Sequence, residues 1–161
     1  MMPDSRRAFS LALLFSLMGA YTLHFIPLHG ALGYWRPMVV FLVVIYWLMR
    51  EPHLLGLGFA WLTGLALDVL ADGMLGQRAL GLLICAYLLQ LAGARFRHFT
   101  LWHQLLVVLP LALIFQLVVI VVSLLEGREG DTWRMFYPVL TALPLWPLLA
   151  ALLDRLYRPP G

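Results

Sequence analysis

Leu54–Leu80 reads LLGLGFAWLTGLALDVLADGMLGQRAL, and its spacing decides how the rest of the chain is read. Small or acidic residues recur at every fourth position, at Gly56, Ala60, Gly64, Asp68 and Asp72. On a helix such residues stack along one side, so the five form a ridge that drifts by about 40° per step. The first part of the ridge is almost bare backbone, which lets another helix come close in lipid. The last part carries two carboxylates. Gly73 and Gly76 then bracket a tight turn, and Arg78 opens the next apolar run. The stretch predicts a helical hairpin with a groove, a carboxylate near its edge and a glycine turn. Two occupants of the groove stay open: another helix of this chain, or a helix of a partner protein.

Composition sets the environment of that hairpin. Of 161 residues 63% are hydrophobic and 12% charged, with a mean hydropathy of +0.90. A soluble domain carries about 45–50% apolar and about 25% charged residues, so this chain reads as an all-α integral membrane protein. Six apolar runs, at about 8–28, 37–49, 54–71, 79–94, 101–125 and 138–156, predict a single transmembrane domain over residues 1–161, a six-transmembrane-helix bundle. The first run is too long for a signal-peptide core and lacks a small-residue cleavage site, so it reads as a spanning helix. The second is short: Arg36 to Arg50 covers about 21 Å, against a hydrocarbon core of about 30 Å. Snorkelling arginines, local thinning or burial among neighbours would close that gap.

All eleven basic residues are arginines. With the N-terminus inside, the inner segments hold seven of them (Arg6, Arg7, Arg50, Arg95, Arg97, Arg155, Arg158) and the outer loops four (Arg36, Arg78, Arg128, Arg134). That bias predicts a multi-pass protein with both termini in the cytoplasm. The net charge of +3 speaks for membrane orientation and contact with membrane lipids, not for nucleic acid. Tyr34, Trp35, Trp102, Trp133, Tyr137 and Tyr157 fall near run ends, where amphipathic rings favour the headgroup layer. Trp47 and Arg50 mark the end of the second run.

Asp68 is the charge that asks for an explanation, because a carboxylate at that depth is costly unless paired, protonated or wetted. Arg78, across the glycine turn, is its expected partner in a structural ion pair; a proton or ligand site is the other reading. The segment Asp72–Arg78 faintly echoes an alcohol-phosphatidyltransferase signature, but the next run has no aspartates to hold a metal. His24, His29, His53, His98 and His103 make no ligand spacing, and no serine has an adjacent base. No catalytic set, metal site or cofactor is expected. Cys85 reads as a small buried hydrophobe. Thr63, Gln90 and Gln116 read as hydrogen-bonding groups between helices.

The order and spacing of several short motifs then become informative. Arg36-Pro37, Tyr46-Trp47, Pro52-His53, Gly56, Gly58-Phe59, Gly64, Leu67-Asp68, Gly73, Leu75-Gly76, Arg78-Ala79-Leu80 and Leu101-Trp102 together resemble the MreD family of bacterial rod shape-determining proteins. Leu67 to Leu80 is the most specific part; the fifth and sixth runs agree by hydropathy only. The resemblance implies a non-enzymatic subunit of the cell-elongation machinery in the bacterial inner membrane. It implies a fold similar to the membrane substrate-binding subunits of vitamin (ECF-type) transporters. It implies an MreC-like partner with a single span, and work beside the MreB filament, RodA and its transpeptidase partner in lateral peptidoglycan synthesis. Gly56, Ala60, Gly64, Gly73 and Gly76 are then the residues expected to pack helices or bind the partner. A small-solute-binding transport subunit is the alternative, with its cavity near Asp68 and Arg78.

Overall fold

The structure is a computed structural model and describes residues 3–27, 29–30, 33, 38–71, 73–93, 99–128 and 130–157, with backbone only for residues 3–5. Among the described residues the chain forms six α-helices: α1 (Pro3–Phe25), α2 (Val39–Arg50), α3 (Leu57–Leu70), α4 (Gln77–Ala92), α5 (Leu101–Leu125) and α6 (Tyr137–Leu156). A short 3-10 helix, Arg134–Phe136, leads into α6. The helices match the six apolar runs, with ends displaced by up to five residues. Segments Arg6–Phe25, Leu101–Leu125 and Arg134–Leu156 are long and apolar enough to cross a membrane. The other three helices are apolar but shorter.

α2 shows why a short helix can be the most apolar. Its sequence VVFLVVIYWLM has no polar face, and every residue from Val39 to Met49 is buried. A helix that is hydrophobic all round belongs inside. It packs against α1, α4 and α6, so burial among neighbours, not thinning, accounts for its length of about 18 Å. Trp47, near the far end of this run, is fully buried and donates its indole N–H to Ser16 Oγ at 2.9 Å. Tyr157 is likewise buried, against Phe9 and Trp47. Trp102 and Trp133 are exposed as expected. Tyr34, Trp35, Arg36, Asp72, Arg95, Arg97, His98 and Arg158 lie outside the described residues.

Around α2 the remaining helices pack in sequence order, α3 on α4, α4 on α5 and α5 on α6, with the α3–α4 contact the most extensive. Polar groups stitch these contacts. Gln77 of α4 donates its amide N–H groups to Val119 O (2.7 Å) and Ser123 Oγ (2.8 Å) of α5, and Tyr21 of α1 donates to Thr63 O of α3 at 2.7 Å. Gln90 is exposed on α4 rather than bonding inside the bundle.

One close approach has no counterpart in the ridge reading. A Cβ on Gly81 of α4 would lie 2.7 Å from Cδ2 of Phe115, whose ring stacks on Phe41 at 4.9 Å. Gly81→Val should destabilise the bundle by about 1–3 kcal/mol, the usual cost of overpacking. Adding Phe115→Leu should recover part of that loss. Denaturation of the four proteins of this cycle in detergent measures it; additive losses would show that the two sites do not meet.

Candidate functional site

The centre of the site is the junction of α3 and α4. Ala60, Gly64 and Asp68 lie along one side of α3, all three buried. That side faces α4, not the outside. A Cβ on Gly64 would stand 2.5 Å from Ala79 Cα and 2.8 Å from Ala79 N, so the two backbones touch. The groove is filled by the chain itself. Gly56 does not take part: it is the N-cap of α3, is exposed, and a Cβ there would meet open space. The ridge begins at Ala60, because α3 starts only at Leu57 and Gly56 lies outside its regular turns.

Asp68 ends the ridge with no exposed surface. Its carboxylate accepts backbone N–H groups from Gly76 (3.0 Å), Arg78 (3.1 Å) and Ala79 (3.1 Å). The Arg78 guanidinium Nη1 stands 3.6 Å from Oδ1. These amides are the start of α4, where the first N–H groups have no partner within the helix. An N-cap side chain usually serves them, but Gly76 has none. Its backbone sits at φ +98°, a region that glycine enters at low cost. Asp68 supplies the missing acceptor from the preceding helix, and its charge also meets the positive end of the α4 dipole. Gln77 N, the remaining amide, donates to Met74 O at 3.3 Å, and Leu80 N begins the helix on Gly76 O at 2.8 Å. Every amide of the first turn is thus satisfied, as lipid demands. Gly73 donates its N–H to Asp68 O, and a Cβ there would press on Arg78 Nη1 at 3.3 Å.

Arg78 has a second neighbour. A cavity of about 180 Å³ opens beside it, lined by His24, Phe41, Leu67, Phe115, Gln116 and Pro138 among others, so that all six helices contribute to one recess.

With that geometry in hand, a family model described as rod shape-determining protein MreD matches residues 5–156. The chain belongs to the MreD family. It is also similar to the rod shape-determining protein MreD of Haemophilus influenzae, 25% identical over 139 residues, which cover 86% of each chain. No solved structure matches it. MreD is a family of shape-determining proteins, not of known enzymes.

The opposite end of this MreD-family bundle holds a second polar cluster that the sequence reading missed. Arg50 of α2 pairs with Asp154 of α6. Tyr46 donates its hydroxyl to Asp154 Oδ1 at 2.6 Å and accepts from Arg50 Nε at 3.4 Å. Tyr157 donates to Glu51 Oε1 at 3.5 Å. Phe9 and Trp47 pack edge to face at 5.4 Å beside them. The available signal was the four-residue step from Tyr46 to Arg50, which places both on one side of α2. Among the described residues, no three His, Cys, Asp or Glu side chains come together to hold a metal.

Proposed function

We propose that this MreD-family chain is a non-enzymatic scaffold subunit of the cell-elongation machinery in the bacterial inner membrane. In this reading it binds an MreC-like single-span partner and helps position the peptidoglycan synthases, beside the MreB filament, RodA and its transpeptidase partner. Both termini face the cytoplasm, as the seven-to-four distribution of arginines favours. The observation that carries the reading is the family match over residues 5–156. Two features support it. The inward polar groups Asp68, Arg78, Gln77, Tyr46, Arg50 and Asp154 are engaged with the protein's own helices. The flank of α1 carrying Leu11, Phe15 and Met18 is exposed and leaves room for a partner's span. Affinity there would come from packing and a few polar bonds of about 0.6–2 kcal/mol each.

The test is recovery of the MreC-like protein from native membranes with the tagged chain in mild detergent. Stoichiometric recovery is expected; a folded, dispersed chain that brings down no MreC-like protein would sink the reading. The cavity beside Arg78 favours one second reading, a small-solute-binding membrane subunit of the vitamin-transporter type. Screening vitamins and nucleobases by thermal shift separates the two: strong stabilisation by one solute supports transport, since ligand at a hundred times its Kd adds about 2.7 kcal/mol.

A further inference from the structure

The bundle has a long side and a short side. α5, with 25 residues, is about 37 Å long, whereas α3 with 14 and α4 with 16 are about 21 Å and 24 Å. A hydrocarbon core is about 30 Å thick. α2 is shorter still but buried, so it meets no lipid. The α3–α4 hairpin cannot escape in that way. Its outer face exposes Trp61, Leu62, Val69, Leu80, Tyr87 and Leu91.

A second observation, independent of length, comes from the rings on that face. Trp61 is about 6 Å from the start of α3 and Tyr87 about 7.5 Å from the end of α4. Both helix ends lie at the same end of the hairpin, so the two exposed rings share a level. Exposed Trp and Tyr settle at the headgroup boundary. From that level to the far ends of the two helices is only about 14–15 Å. Met74 and Leu75, exposed in the turn, extend the apolar surface by about 7 Å at most. On α5 the exposed Trp102 lies in the first turn, about 35 Å from Leu125.

We infer that the α3–α4 face seats a locally thinned bilayer, so that its annular partner is phospholipid with short or compressed acyl chains. A partner helix fits the face less well. The small residues Ala60 and Gly64 are spent on α4, and bulky side chains point outward, where close helix docking favours small ones. Mismatch of this kind costs fractions of a kcal/mol per Å. It would draw the protein towards thinner membrane and give its two sides different lipid neighbours.

The test uses the full chain reconstituted in phosphatidylcholine vesicles. Trp61→Cys, Tyr87→Cys and, at mid-length on α5, Leu113→Cys are each labelled; Cys85 is buried. Nitroxides at 61 and 87 should relax with a water-soluble nickel chelate as headgroup positions do, and the one at 113 with oxygen as a deep position does. A bimane at 87 should be quenched about two- to three-fold better by brominated lipids with short chains than with long ones, a preference absent at 113. Should either ring substitution fail to fold, Leu62→Cys and Leu88→Cys report the same face. Equal depth at 87 and 113, or equal quenching by both lipids, overturns the proposal. So does shielding of 61 and 87 from both relaxants, with spin–spin coupling pointing to a second copy and its absence to a partner helix.

Discussion

Asp68→Ala should unfold the α3–α4 turn and cost the protein about 3–5 kcal/mol, the range for removing one partner of a buried charge pair. Three backbone amides lose their acceptor at once, at Gly76, Arg78 and Ala79. The guanidinium of Arg78, three-quarters buried, loses its carboxylate in the same step. Neither water nor lipid replaces an acceptor inside the seam. Asp68→Asn should cost less, because its carbonyl oxygen can still accept while its NH2 faces donors. The double mutant Asp68→Arg, Arg78→Asp should recover nothing. A swapped pair restores attraction between side chains, but the amides of α4 need an acceptor where an arginine would now stand. Denaturation of the three variants in detergent gives the order; recovery in the swapped protein would show the ion pair, not the helix start, to be what matters.

Gly64→Leu should be at least as damaging, beyond the roughly 1–3 kcal/mol of ordinary overpacking. The obstacle is backbone: Ala79 Cα at 2.5 Å, Ala79 N at 2.8 Å and Arg78 O at 3.0 Å from the first added atom. No rotamer relieves that, so α3 and α4 must separate, and separation pulls Asp68 off the amides it serves. Gly58→Leu, on the same helix, is the matched control. Gly58 is exposed with open space around a Cβ, and leucine is the better helix former by most of the roughly 0.8–1.0 kcal/mol that separates glycine from alanine. The first variant should lose its folded fraction and the second keep it.

The two substitutions also mark what could be read before the fold was known. Helical periodicity placed Ala60, Gly64 and Asp68 on one side from spacing alone, because 3.6 residues per turn is a property of the backbone. Spacing could not say what fills the groove, since a bare ridge suits any helix, and only the packing of α4 on α3 shows it to be this chain's own. Gly56 looked like the first rung because the count ran back past the start of the helix. The role of Asp68 was half legible. Its charge demanded a partner, and Arg78 stood at a plausible distance along the chain. That the backbone of α4 is the larger partner depends on the path of the turn through Gly73 and Gly76, which no periodicity encodes. The Arg50–Asp154 pair joins residues 104 apart, where sequence spacing carries no signal. The burial of α2 was readable in outline from its all-round apolarity, yet which of three remedies its short length required was decided only by its neighbours.

The proposed scaffold role requires a bundle held together at the α3–α4 seam, where Gly64 lets the two backbones meet. Its most direct test is the shape of cells of the native host whose chromosomal copy carries Gly64→Leu or Gly58→Leu. The account predicts rods with Gly58→Leu and rounded cells with Gly64→Leu. Cells that keep their rod shape with Gly64→Leu as the sole copy would contradict it.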